Sequence, residues 1–282
     1  MHPIEHLRYL ARSGHVDAQE LVVETAAALR GLGMDPASLV VTSRRIVERN
    51  PLCGPLWWLC ASMLTSDDPR EAARQCVSQI RNDATSEYLA KEITPGALVC
   101  VNGWSPDVMH ALALASDMNH DLEPNGDIEV CVVDGDNGAD YMVRCLERLD
   151  IGVHLVNPAH GGAAAAASDI ILLSAFATGV STAWCNSGSL ALASVGYCAQ
   201  RKVVLSAAVG TRLPEVLFAG IVNDLDASSA GSPWRRGADE VPFDLCAQVV
   251  VSDGPCDMVT LLANGMKPQC LPATELLIRS AI

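Results

Sequence analysis

The sequence predicts an α/β protein: a helical N-terminal domain, residues 1–93, followed by a second domain, residues 94–282, with a mostly parallel sheet and helices on both faces. Three observations carry this. Before Thr94-Pro95-Gly96 the apolar residues repeat at helical spacing and β-branched clusters are sparse. After it, apolar runs of about five residues alternate with helix-length segments, the mark of βαβ units. Those runs are apolar throughout instead of alternating, as strands buried on both faces must be. The chain has 282 residues, half of them hydrophobic, so a substantial core is available.

In the first domain, Asp35-Pro36 reads as a helix start, an acidic N-cap followed by proline at the first helical position. Leu39, Val40, Ser43, Ile46 and Val47 then fall on one face. Pro51 and Pro55 interrupt the chain, and Leu56, Leu59, Cys60 and Met63 resume helical spacing. Asp67 to Pro69 marks a further break. Ala73, Cys76, Val77, Ile80, Ala84 and Tyr88 trace one longer amphipathic helix. Adjacent Trp57 and Trp58 cannot share one helix face, so one is expected in the core and the other against a second domain or subunit.

In the second domain, strands are predicted at Ala97 to Val101, Ile128 to Val133, Val153 to Val156, Asp169 to Leu173, Lys202 to Ser206 and Ala247 to Val251. Helices are predicted at Pro106 to Met118, Ala139 to Leu149, Ala163 to Ala167 and Ser189 to Gln200. Asp224 to Glu240 lacks periodicity and reads as an exposed loop. The tail from Met266 is expected to pack on the sheet.

Charge and cysteine usage exclude several classes. Lys and Arg number 19 against 33 Asp and Glu, a net charge of −14, so no basic excess exists to displace counterions and no nucleic-acid partner is expected. No apolar stretch is long enough to span a membrane, and the start lacks the pattern of a secretory signal. The 11 cysteines form no CxxC pair, and their scatter at apolar positions reads as reduced core thiols in a cytoplasmic protein. No HExxH appears and the histidines are dispersed, so no metal is predicted. Without GxGxxG or GxxxxGK[ST], no nucleotide cofactor is predicted either.

In open parallel sheets, ligands sit beyond the carboxyl ends of the strands. Four loops are selected: Asn102 to Ser105, Asp134 to Gly138, Asn157 to Gly162 and Ser174 to Gly188. Cys185-Asn186-Ser187-Gly188-Ser189 precedes an apolar helix. It reads either as an anion site made of helix amides and hydroxyls or as an ordinary N-cap turn. Asp134 could receive a ribose hydroxyl or a proton, or cap the next helix; Asp136 reads as a turn carboxylate or a site group. Cys185 is a nucleophile if His160 approaches it and otherwise an inert thiol. If the protein is an enzyme, the catalytic candidates are thus Asp134, Asp136, His160 and Cys185. Arg44-Arg45 reads equally as a phosphate fork or as solvated helix charge.

Thr42-Ser43-Arg44-Arg45, the segment VNGWSPDVMHAL from Val101 to Leu112, and the stretch from Asp169 to Ala207 occur in an order that resembles one family over nearly the whole chain. Phe243-Asp244 resembles the same family's late FDVTP segment. The family is that of the alpha, beta and delta subunits of translation initiation factor 2B, with two isomerase branches, for methylthioribose 1-phosphate and ribose 1,5-bisphosphate. The resemblance implies a helical domain, then a Rossmann-like domain, and homodimerisation through the latter. It also implies departures. The isomerase cysteine and acid match Gly103 and Phe176, and the lysine and glycine of the family's NK and GT pairs match Ser187 and Ser189. Neither glycine nor phenylalanine can move a proton. The expected ligand residues are therefore Asn102, Gly103, Asp134, Asn157, Phe176, Asn186, Ser187 and Ser189. The implied function is binding of a small phosphorylated or polar metabolite, or a regulatory subunit's role. The alternatives are an enzyme with rebuilt chemistry, such as a sugar-phosphate isomerase, and a structural or protein-interaction protein.

Overall fold

The computed structural model describes residues 18–31, 35–122, 126–135 and 138–278. Nine strands form β1 (Leu98–Asn102), β2 (Glu129–Val133), β3 (Gly152–Val156), β4 (Ile170–Thr178), β5 (Thr182–Asn186), β6 (Lys202–Ser206), β7 (Ala238–Pro242), β8 (Gln248–Val251) and β9 (Gly254–Pro255). The main sheet has the order β3-β2-β1-β4-β6-β8-β9, parallel from β3 to β8, with β9 antiparallel at the edge. The chain runs outward from β1 to β3, crosses back to β4 beside β1, then runs outward the other way. Strand order therefore reverses between β1 and β4, which opens a crevice at their carboxyl ends.

Strand side chains alternate between two apolar layers. Val99, Val101, Val130, Val132, Ile170 and Leu172 bury one face against α5 (Thr85–Ala90), α6 (Pro106–Leu122) and α7 (Ala139–Glu147). Cys100, Ile171, Leu173, Val203, Leu205 and Val249 bury the other against α8 (Gly161–Ala167), α9 (Ser189–Cys198) and α11 (Met258–Asn264). Both faces are covered except at the edge strand β3, whose residues are exposed or half-buried, so the inner strands had to be largely apolar.

A third layer holds α1 (Ala18–Gly31), α2 (Pro36–Arg49), α3 (Gly54–Leu64) and α4 (Pro69–Arg81) together with α10 (Glu215–Ser228) and α12 (Thr274–Leu277). The predicted cap forms, Asp35 Oδ2 accepting from Ser38 N at 3.0 Å, and at the break before Pro69 Asp68 Oδ1 caps α4 by accepting from Arg70 N and Glu71 N at 3.0 Å each. Helix α3 is buried on all sides, so Trp57 and Trp58 are both core residues, at 2% and 1% exposure. They divide the neighbours between them: Trp57 lies against Gly220 of α10, and Trp58 against Gly210 in the loop after β6. Trp57 Nε1 donates to Pro51 O at 3.0 Å. The start of α3 rests directly on β4, where a Cβ at Gly54 would stand 2.3 Å from Phe176 O.

Four readings of the sequence change. The long helix predicted through Tyr88 stops at Arg81 and restarts at Thr85, because Asp83 Oδ1 takes Thr85 N at 3.0 Å while Oδ2 takes Val209 N at 2.8 Å. The segment from Ser174 to Gly188 is largely strand: β4 runs on to Thr178 and returns as β5, which pairs antiparallel with β7. The region from Asp224 to Glu240 holds the end of α10 and the start of β7; small and polar residues concealed both. The tail divides: Met266 packs on the sheet as expected, whereas Ala273 and Leu277 are buried in the helical layer and Arg44 Nε donates to Leu276 O at 2.7 Å. That occupies one arginine of the predicted phosphate fork and leaves Arg45 exposed.

All 11 cysteines are free thiols. Burial pushes Cys60, Cys100 and Cys246 up to about 12 and Cys76 to about 11. A thiol titrating higher in the folded than in the unfolded chain stabilises the fold fully below the unfolded value of about 8.5. That stability is lost as pH rises toward 12. The urea midpoint should therefore fall between about pH 8.5 and pH 10.5. The decline should be shallower in a Cys60→Ala, Cys246→Ala variant than in the parent; equal slopes would contradict the assignment.

Candidate functional site

A cavity of about 760 Å³ occupies the crevice between β1 and β4. Its floor is the carboxyl end of the sheet, and its roof is the entry to α3, through Leu52, Cys53 and Pro55. The strand ends deliver the polar groups. Ser105 follows β1, Ser174 lies in β4 where its parallel pairing ends, and Ser206 closes β6. Asp107 stands in the first turn of α6, immediately after β1.

All three serine hydroxyls donate to the Asp107 carboxylate. Ser174 Oγ lies 3.0 and 3.1 Å from its two oxygens, and Ser105 Oγ and Ser206 Oγ complete the set. Ser86 Oγ donates to Asp107 O at 3.0 Å, which ties α5 to the same turn. The helix N-terminus favours the negative charge there. Hydroxyls that spend their protons on Asp107 keep lone pairs, so Ser105 and Ser174, which line the cavity, can accept there, while Ser206 is buried behind Asp107. His110, one turn further along α6, and Asp83 also line it. No lysine or arginine does so among the described residues.

Phe176 supplies an apolar wall. The β4–β5 register shifts between Ala175 and Ala177, so Phe176 is the extra residue of a bulge, and it lines the cavity. Trp104 lines it too, stacked edge-on against Tyr141 with ring centroids 4.5 Å apart. The residue that the sequence resemblance matched to an isomerase acid is thus a ring lining this cavity.

Behind the cavity, two asparagines lock β1 to the turn after β5. Asn102 Nδ2 donates to Ser187 O and Ser189 Oγ at 2.9 Å each, and Asn186 Nδ2 returns a bond to Asn102 O at 2.8 Å. Only glycine fits at 135, where a Cβ would stand 2.4 Å from Asn102 Oδ1. The N-terminus of α9 is closed from inside the chain: Asp239 Oδ2 accepts from Gly188 N at 2.9 Å and from Leu190 N at 3.1 Å. The free amides expected near Ser187 are therefore engaged by a carboxylate of β7.

The remaining candidates disperse. Phe176 and Asn186 line the cavity. Asn102 and Gly103 are buried beneath it, and Gly103 N donates to Val133 O at 2.9 Å. Asp134 is exposed, with its backbone N–H on Val156 O at 3.0 Å, and it does not cap α7. Asn157 caps the turn Pro158–His160 through Ala159 N at 2.9 Å, and His160 is exposed in that turn. Cys185 is fully buried inside β5 instead of in a loop, and burial holds its thiol well above the usual range. It is not beside His160. Asp136 lies outside the described residues. Ser187 and Ser189 serve the asparagine lock. Sequence reasoning missed Asp107, Ser174 and Ser206. The available signal was a polar residue closing each apolar strand, plus an acid in the first turn after β1.

Asp239→Asn should cost about 1 kcal/mol in urea unfolding, since it removes a charged cap from α9. An unchanged midpoint would show that the carboxylate contributes nothing there.

No family model and no curated protein sequence matches the chain. Solved structures do match it. Translation initiation factor eIF-2B of Pyrococcus horikoshii OT3 superposes with a TM-score of 0.72 at 13% identity, over 90% of this chain and 96% of that one. The tetrameric eIF2B-beta2-delta2 complex from C. thermophilum gives 0.68 at 16% identity, over 92% of each chain. The eIF2B beta structure from Chaetomium thermophilum gives 0.59 at 15% identity, over 99% of this chain and 92% of that one. The chain has the fold of the initiation factor 2B structures across its helical and sheet regions alike.

Proposed function

We propose that this chain is a distant initiation factor 2B-type protein, of a helical domain and a Rossmann-like domain, that binds a small polar metabolite and lacks the family's isomerase chemistry. The observation that carries the reading is the charge of the cavity. Asp107 and Asp83 line it with three serine hydroxyls turned on Asp107, and no lysine or arginine joins them among the described residues. A phosphate dianion entering there would lose its hydration without a cation to replace it. The site suits an uncharged or cationic ligand bearing hydroxyl or amino donors, with Phe176 and Trp104 against its apolar face. Of the phosphorylated and polar ligands that the sequence left open, the geometry favours the second.

A second reading keeps catalysis. Asp107 and His110 lie three residues apart on α6 and both line the cavity, an acid–base pair at one helix face. It differs from the sequence's candidates in placing the chemistry on α6. The Asp107→Asn and His110→Ala variants would each abolish a turnover found with any ligand that the screen below identifies.

The reading extends to assembly as a homodimer through the sheet domain. One of the similar structures is itself a tetrameric complex. Leu190 and Tyr197 are exposed two turns apart on α9, an apolar stripe suited to a subunit contact.

A thermal-shift screen tests the ligand class. Nucleosides, amino sugars and polyols should include a compound that raises Tm, whereas methylthioribose 1-phosphate and ribose 1,5-bisphosphate should neither raise it through this cavity nor be turned over. Asp107→Asn should weaken the hit by about tenfold or more, the scale of a charge-assisted hydrogen bond. Stabilisation by the sugar phosphates alone, lost in Asp107→Asn, would overturn the reading. Sedimentation at micromolar concentration should show a dimer; a monomer at every concentration would remove that part.

A further inference from the structure

A second cavity, of about 450 Å³, lies between α4, the loop after β6, the β8–β9 turn and the C-terminal segment, with Val209 lining both cavities. Its lining is polar throughout apart from Val209, and it includes Gln79, Arg212, Ser252, Asp253 and Gln269.

Arg212 is the unusual group. Its Nε is buried, and its guanidinium makes no hydrogen bond or ion pair with any described residue. Arg212 as a whole is half-buried, so the cost falls on the buried Nε, which has no acceptor until one enters the cavity. The neighbouring carboxylates do not fill that role. Asp253 is exposed and forms no ion pair with Arg212, and Asp83 Oδ2 is engaged by Val209 N and by Gln19 Nε2. Burial holds the guanidinium below its ordinary range, with Asp253 the first of the charges opposing that shift.

Other donors surround it. Gln269 Oε1 accepts from Gly210 N at 2.8 Å, which fixes the amide and leaves its Nε2 hydrogens to donate. The Gln79 amide and the Ser252 hydroxyl make no hydrogen bond of their own. A planar guanidinium with amide and hydroxyl donors around one polar cavity matches a tetrahedral oxyanion.

We propose that this cavity is an oxyanion site centred on Arg212, taking phosphate or the phosphate group of a small monoester, separate from the Asp107 cavity. The site is independent of the function proposed above. Arg212 positions the anion, Gln269 and Ser252 complete its hydrogen bonds, and Asp253 at the rim opposes it.

Isothermal titration calorimetry of the full chain at constant ionic strength tests this, with inorganic phosphate in one arm and glycerol 2-phosphate in the other. Each should bind once per chain at millimolar concentration or below, and the tighter arm identifies the free ion or the ester as the natural form. Arg212→Gln should weaken binding by about tenfold or more, as loss of a charged partner does. Gln79→Glu, which puts a carboxylate into the cavity, should weaken it too, and it carries the test should Arg212→Gln fail to fold. Asp253→Asn should tighten binding. Absence of heat at about 10 mM of either probe would overturn the proposal. So would binding that neither Arg212→Gln nor Gln79→Glu changes.

Discussion

One carboxylate holds the carboxyl ends of three adjacent parallel strands together. Asp107 receives hydroxyls from Ser105 after β1, Ser174 of β4 and Ser206 of β6, so the point where strand order reverses cannot splay. An open parallel sheet has its weakest lateral packing there, because consecutive crossovers leave on opposite sides. The carboxylate tolerates a half-buried position through its three donors and the amino end of α6. Ser86 carries the same anchor to α5, and through Asp83 and Val209 the helical layer is tied to the loop after β6. The reversal of strand order opens the cavity, and these tethers fix its walls.

Fold and chemistry separate here, as they often do in widely used folds. The chain superposes on an initiation factor 2B structure over 90% of its length, yet the helix amides and hydroxyls near the switch point are engaged by the protein itself. Asp239 closes the start of α9, and Ser187 and Ser189 serve Asn102. Phe176 stands out of a bulge at the rim. On the function proposed above, these groups disfavour an anion at the switch point, while the cation of Arg212 lines a different cavity.

Much of the sheet was legible in the sequence. Lys202 to Ser206 was read with its observed bounds, and the other parallel strands came within a few residues, because burial on both faces demands unbroken apolar runs. The β4–β5 hairpin was not legible. Apart from Phe176 and Trp184 its residues are small, and β4 continues past its parallel partners to pair in the opposite sense, which no local period announces. The break before Thr85 escaped because the apolar spacing continues across it; a long-range bond from Val209 to Asp83 makes the difference. The site was legible by position and not by residue. Two of the four loops selected by the loop rule frame the cavity, through Trp104 and Ser105 and through Ser174, Phe176 and Asn186. Asp107 reads locally as an ordinary acidic first-turn residue. Its role depends on serines 67 and 99 positions away, a convergence only the folded chain creates.

The central claim is that the Asp107 cavity is the ligand site of this fold. Diffraction from crystals soaked in the strongest stabilising compound tests it most directly. The account predicts density for the ligand between Phe176 and Asp107, with a hydroxyl or amino group within hydrogen-bond distance of that carboxylate or its serines. Density for the compound elsewhere on the molecule, with the switch-point cavity holding only solvent, would contradict it.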